Sequence, residues 1–278
     1  MSISLSDQRP SAERFEFGEN WRHFLATLTD DSIATADKSL VDMVGVPLRG
    51  RRFLDIGCGS GLFSLAARTN GAVVTSFDFD PLSVGCAQEI RRRYRGEDSQ
   101  WRIERGSVLD AEYMASLGQF DIVYSWGVLH HTNAMWQALE NACRSVAPAG
   151  RLFIAIYNDQ GSKSVWWKRV KRTYNRLPGP LKRPYLLAFG AALETGAVAV
   201  SLARLQPGRL IERYTRYHNV RGMSRWHDVV DWVGGYPFEV AKPEDVFDFC
   251  RSRGFALDRL RTCGGRMGCN EFVFVRTS

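Results

Sequence analysis

Asp55 stands two residues ahead of three glycines at alternate positions, Gly57, Gly59 and Gly61, at the end of the apolar run Phe53-Leu54-Asp55-Ile56. Glycines so spaced let a backbone bend sharply and approach a ligand closely, and Ser60 is placed to cap a helix that starts there. Dinucleotide turns use the spacing GxGxxG and set a pyrophosphate on a helix N-terminus. A carboxylate at the entrance of the bend would repel that group. GxGxG with Asp55 instead suits a ligand that carries a cation and no phosphate. About twenty residues on, Ala72 to Phe77 forms a second apolar run ending in Asp78 and Phe79. An acid there is placed to accept both hydroxyls of a ribose. A third run, Trp101 to Ser107, alternates well enough for a strand and enters Val108-Leu109-Asp110, a third acid at a strand end. Each acid alone also reads as a helix N-cap or a solvated loop residue. The three in register read as one nucleoside site.

A second group of reactive residues lies in Ser125-Trp126-Gly127-Val128-Leu129-His130-His131-Thr132, after a fourth apolar run. Ligands of open α/β sheets gather where strands end, so these side chains are expected at the same crevice. Histidine, with a reference pKa of about 6.5, is suited to take a proton from a hydroxyl. His131 is the first candidate for a general base and His130 the second. The alternative is that an imidazole caps the next helix or bonds the backbone; His131 would then orient an acceptor and leave its proton alone.

From about residue 51 to 157 these motifs resemble the class I S-adenosylmethionine-dependent methyltransferases. The resemblance implies S-adenosylmethionine as methyl donor and S-adenosylhomocysteine as product. It implies that Asp55, Gly57, Cys58, Gly59 and Gly61 hold the methionine end, with Asp78, Phe79, Val108, Leu109, Asp110 and Ser125 around the nucleoside and Asp110 near the adenine amino group. The acidic or Asn-Pro-Pro-aromatic signature of base-modifying amino methyltransferases is absent after the fourth run, as is the Pro-Cys of cytosine C5 enzymes. The stretch Val128-Leu129-His130-His131 is instead similar to the ubiquinone-biosynthesis O-methyltransferase group and its small-molecule relatives. In that group His131 takes the His position, which implies a small-molecule acceptor methylated on a hydroxyl.

The elements that must position these groups alternate between strand and helix, as a doubly wound, Rossmann-like sheet of seven strands requires. Strands are expected at about 51–56, 72–78, 101–106, 120–125, 151–157, 255–262 and 270–276, the last two closing the sheet as an antiparallel hairpin. Helices are expected at 60–69, 81–94, 110–117, 133–146 and 243–253, with Ala147-Pro148-Ala149-Gly150 as a turn. Residues 19–46 read as two helices, and Phe17 to Trp21 either folds over the ligand or docks on the sheet. The division is a flexible 1–18, a core from 19 to 157, a helical lid inserted at 158–241 and a closing 242–278.

That insertion of about eighty residues is where an acceptor would be chosen. Lys163 to Arg183 holds eight Lys or Arg and no acid, interleaved with Trp166, Trp167 and Tyr174. Such a segment suits nucleic acid, an anionic membrane surface or a phosphate, or is merely a solvated face. Pro184 to Leu205 is apolar but broken by Glu194, too interrupted to span a bilayer. A covered lid core or a homodimer contact is favoured for it over peripheral contact with a membrane through 163–205. Further along, Asp228 and Asp231 share a helical face. With Tyr157, Arg221, Trp232, Tyr236, Glu239 and Asn270 they are candidates to line the acceptor pocket, or they pair with lid arginines.

The chain of 278 residues, 45% hydrophobic and 24% charged with net charge +7, fits one main globular enzyme domain. Its six cysteines are scattered without metal spacing, so neither a disulfide framework nor a metal is expected, and a reduced, cytoplasmic setting fits best. No secretory signal pattern opens the chain. Two further readings stay open: an RNA-modifying enzyme using the basic lid, although no separate RNA-binding module is visible, and a catalytically silent cofactor-binding subunit.

Overall fold

The computed structural model describes Phe15, residues 17–203, Val230 and residues 232–277. The strands are β1 (Arg52–Ile56), β2 (Val73–Asp78), β3 (Trp101–Arg105), β4 (Phe120–Trp126), β5 (Val146–Tyr157), β6 (Phe255–Arg261) and β7 (Cys269–Arg276). They form one sheet in the order β3-β2-β1-β4-β5-β7-β6. Pairing is parallel except at β7, which runs antiparallel to both β5 and β6. Chain order reverses between β1 and β4, and the crevice that opens at such a reversal lies at the carboxyl ends of these two strands.

Helices α1 (Phe17–Ala26), α2 (Asp30–Val44), α3 (Leu62–Thr69), α4 (Pro81–Arg95), α5 (Ala111–Leu117), α6 (Met135–Arg144), α7 (Ser162–Arg176), α8 (Gly179–Ala203) and α9 (Pro243–Arg251) accompany the sheet. Local chemistry sets their ends. Asp80 accepts the Leu82 amide and is followed by Pro81 at the first position of α4, while Asp110 accepts the Tyr113 amide to open α5. Side chains alternate along β1, so Leu54 and Ile56 enter the core shared with α5, α6 and α9, and Phe53 enters the core shared with α2, α3 and α4. Asp55, which shares the parity of Phe53, is thereby aimed at α3.

Some sequence expectations need correction. The helix after β1 starts at Leu62, with Gly61 left-handed at its N-cap (φ 83) and no side-chain cap, so Ser60 does not cap it. The steep turn consumes the residues that would have been its first turn. The turn expected at 147–150 is drawn into β5, whose Val146 pairs with Phe120; the irregularity shows as positive φ at Ala149 and a register shift between Phe120 and Ile122. The boundary placed at residue 18 falls inside α1, and residues before Phe15 lie outside the described ones.

Within the inserted segment, α7 and α8 pack against the returning chain around Trp167, Val170, Tyr174, Leu186, Val233 and Phe238, with Tyr157 and Trp232 against them. This third apolar cluster sits over the end of β5. Arg221, Asp228 and Asp231 lie outside the described residues. No described helix is long and apolar enough to cross a membrane.

Candidate functional site

The glycine bend is as tight as its spacing implies. Gly57, Gly59 and Gly61 have φ of 72°, 52° and 83°, values that side chains resist. A Cβ on Gly57 would lie 2.4 Å from Val128 Cγ1, and one on Gly59 would lie 2.7 Å from the Trp21 ring. The bend therefore touches both the segment that carries the two histidines and helix α1. Asp78 closes it from the side: its Oδ2 accepts the Gly59 amide at 3.0 Å, and its Oδ1 accepts the Asp80 amide at 2.9 Å. Cys58 is buried, and Ser125, fully buried, donates to the Ile56 carbonyl at 3.1 Å.

Asp55 is only 2% exposed and sits beneath the bend rather than in its mouth. Its Oδ2 accepts the Ser64 hydroxyl; Ser64 Oγ lies 2.6 Å from Ser76 Oγ, which in turn accepts the Trp101 indole N–H at 2.9 Å. An indole can only donate, so the chain runs from Trp101 through Ser76 and Ser64 to the carboxylate. Burial pushes the Asp55 carboxyl up to about 7, opposed by the Ser64 hydrogen bond and reinforced by the negative charge of Asp78. Ser64, Ser76 and Trp101 escaped the reading of the sequence. The β1–β2 register that sets Asp55 opposite Ser76 is what joins them.

The nucleoside candidates are placed along the ends of β2 and β3. Phe79 lies under the Arg105 guanidinium at 5.7 Å. Val108 is buried, its carbonyl accepting Asn141 Nδ2 at 2.8 Å, and the Leu109 amide bonds Ser107 Oγ. Asp110 Oδ1 is occupied in capping α5, the local role weighed against adenine contact from the start.

Beyond β4, Gly127 (φ 76) turns the chain into a single 3₁₀ turn, Leu129–His131. The two histidines there differ sharply. His131 places Nδ1 2.6 Å from the Pro237 carbonyl, which can only accept, so Nδ1 carries the hydrogen and the lone pair is on Nε2. Its ring also meets Phe17 at 4.9 Å and Tyr157 at 5.4 Å. His130 is fully buried against Tyr157, ring centroids 3.9 Å apart, and its Nδ1 accepts the Tyr157 amide at 3.3 Å. Burial first, then the neighbouring His131 and Lys171, hold its pKa well below the usual histidine range. With its lone pair committed, His130 is a neutral donor, not a second base. Helix α1 spans the whole arrangement, since Phe17 touches His131 and Trp21 touches the glycine bend.

The remaining pocket candidates separate into distinct roles. Tyr157 is the centre of an aromatic group formed with His130, Trp232 and Phe238. The Tyr236 carbonyl accepts the Phe15 amide. Glu239 turns away to accept the Met135 amide at the start of α6, and burial raises its pKa. Asn270 is buried and ties the closing hairpin, accepting the Cys263 amide and donating to Asn158. Lys171 was not foreseen: it is fully buried, donates to the Trp232 carbonyl, and lies 4.7 Å from the Trp232 ring and 4.9 Å from the Phe238 ring.

Comparison with known proteins bears on this geometry. The sequence profile of the family described as "Methyltransferase domain" matches residues 20–185. The ubiquinone biosynthesis O-methyltransferase of Rhizobium leguminosarum bv. trifolii is 34% identical over 113 residues, covering 40% of this chain and 42% of that protein. The 27-O-demethylrifamycin SV methyltransferase of Amycolatopsis mediterranei is 32% identical over 149 residues, 51% of this chain and 52% of that one. The chain thus spans about half or less of the length of these curated relatives. Among solved structures, magnesium protoporphyrin IX methyltransferase from Synechocystis PCC 6803 with bound S-adenosylhomocysteine aligns over 93% of both chains at TM-score 0.54 and 16% identity. The N-methyltransferase NodS from Bradyrhizobium japonicum WM9, also bound to S-adenosylhomocysteine, aligns over 95% of this chain and 100% of that one at TM-score 0.51 and 14% identity. At those identities the likeness is one of fold, the class I methyltransferase fold.

Proposed function

This chain belongs to the methyltransferase-domain family, and from that membership we propose that it is an S-adenosylmethionine-dependent methyltransferase acting on a hydroxyl of a small, lipophilic or glycan-linked metabolite. The donor supplies an electrophilic methyl on a sulfonium, and the chain's own groups fit it. Gly57, Gly59 and Gly61 form a cradle that any Cβ would fill, Asp55 supplies negative charge beneath it, and Asp78 borders it where a ribose would lie.

The observation that carries the hydroxyl reading is the orientation of His131. Its Nδ1–H is fixed on Pro237, so Nε2 is the basic atom, on a segment whose Val128 packs directly on the glycine bend. A base so placed takes the proton from an acceptor hydroxyl as its oxygen is methylated, work that an amine or carboxylate acceptor needs less. The apolar and aromatic walls exclude water that would compete for the methyl.

The test is release of S-adenosylhomocysteine with a panel of phenols. His131→Ala is expected to lower turnover by roughly 10²–10⁴-fold, the usual contribution of a general base, at unchanged affinity for S-adenosylhomocysteine. Undiminished turnover would remove His131 from the chemistry.

The outer face of α7 supports one extension. Lys163, Lys168 and Arg169 are exposed beside exposed Val165 and Trp166, and Leu181 and Leu187 of α8 are exposed as well. Cations mixed with apolar side chains suit peripheral contact with an anionic membrane from which a lipophilic acceptor could be taken.

A further inference from the structure

Among the described residues, four buried side-chain polar atoms find no hydrogen-bond partner: Ser83 Oγ, Tyr124 Oη, His130 Nε2 and Trp232 Nε1. The last two flank a single ring. His130 lies 3.9 Å and Trp232 5.6 Å from the Tyr157 ring centroid. Because the Tyr157 amide fills His130 Nδ1, the His130 hydrogen is on Nε2, and an indole nitrogen always carries one. Both orphaned atoms are therefore N–H donors. A buried donor without an acceptor is destabilising, and two around one ring mark a place where the acceptor comes from outside the chain.

The surroundings agree. The Lys171 ammonium lies 4.7 Å from the Trp232 ring and 6.0 Å from the Tyr157 ring, so positive charge borders the Trp232 donor and the ring between the two donors. A narrow crevice lined by Tyr157, Ser164, Trp167, Trp232 and Phe238 passes over the same rings. The His130 and His131 rings are 4.5 Å apart, which sets the His130 donor beside the ring that carries the basic nitrogen.

We propose that this aromatic recess receives an acyl oxygen of the acceptor, held by His130 Nε2–H and Trp232 Nε1–H while the hydroxyl to be methylated faces His131. The acceptor is then a hydroxyl compound that carries a carboxylate or a carbonyl a few atoms away. This rests on the methyltransferase reading above and narrows its substrate class.

The experiment is calorimetric titration of the protein, first saturated with S-adenosylhomocysteine, with 3-hydroxybenzoate, 3-hydroxyacetophenone and 3-ethylphenol. The three probes share a shape, and the meta spacing prevents an internal hydrogen bond. Both oxygen-bearing probes are expected to bind about tenfold more tightly than 3-ethylphenol, the equivalent of one buried hydrogen bond. Trp232→Phe, which keeps the ring and removes the donor, should retain the melting temperature and the S-adenosylhomocysteine affinity while shrinking that advantage below about threefold. A lead for 3-hydroxybenzoate supports the proposal with a charged oxygen, and a lead for 3-hydroxyacetophenone supports it with a neutral one. Equal binding of 3-ethylphenol, no binding of any probe, or an undiminished advantage in Trp232→Phe overturns it. If S-adenosylhomocysteine itself fails to bind, the methyltransferase reading falls, and that result is distinct from failure of the recess alone.

Discussion

Asp55 shows how one residue can be legible in a sequence while its working state is not. Its type and its place before the glycines marked it as the charge of the site. Its depth, and its place at the end of the Trp101, Ser76 and Ser64 chain, depend on strand register and on α3 packing, which no local spacing encodes. The consequence is a carboxyl that titrates near 7 in the folded chain and near 3.8 when unfolded. Since the folded form retains a proton that the unfolded form loses, this group's contribution to stability is whole below about pH 3.8 and is lost as pH rises through about 7. A bound cation reverses the preference by favouring the ionised form. Affinity for S-adenosylhomocysteine, whose ammonium is such a cation, is therefore expected to rise between about pH 6 and 8 by calorimetry. In Asp55→Asn that rise should vanish; a flat profile in the wild-type chain would contradict the assignment. The histidines make the complementary point: the pair was visible as a pair, but only the partners Pro237 and Tyr157, both distant in sequence or strand, divide them by tautomer, with the lone pair on Nε2 in His131 and the hydrogen on Nε2 in His130.

At the scale of elements, the apolar runs located the central parallel strands because a parallel sheet buried on both faces leaves near-continuous hydrophobic stretches, whereas β3 alternates and the antiparallel edge strand β6 is mostly exposed. Ends were less legible where the backbone does something special, as at the left-handed Gly61 and the irregular start of β5. The inserted segment was least legible. It was read only as a helical lid with a basic and an apolar stretch, without the bounds of α7 and α8, and the burial of Lys171 and the turning of Glu239 onto α6 follow from which helix faces meet, a tertiary outcome. The exposed cations of α7 give this element its own prediction. The protein should co-sediment with phosphatidylglycerol vesicles and not with neutral phosphatidylcholine vesicles, and replacing Lys163, Lys168 and Arg169 by Gln should weaken this by about 1 kcal/mol per charge. Equal retention on neutral vesicles, or a variant that sediments as before, would remove the membrane from the account. Steeply salt-dependent tRNA binding in its place would favour nucleic acid as the partner.

Across the whole molecule, a single reversal of strand order brings the glycine bend of β1 beside the histidine turn of β4, and α1 reaches across both through Trp21 and Phe17. The glycine bend, Asp78 and both histidines lie in the part of the chain that the family profile covers, whereas Trp232 and Phe238, which pack on Tyr157, come from the segment that returns after it. That division explains why the reaction class could be read from spacing and the acceptor could not. The shape of the bend suits a cation-bearing nucleoside without phosphate. Titration of the purified chain with S-adenosylhomocysteine and, separately, with NAD tests this most directly: saturable one-to-one heat with the first and none with the second is the predicted result, and heat with NAD alone would contradict it.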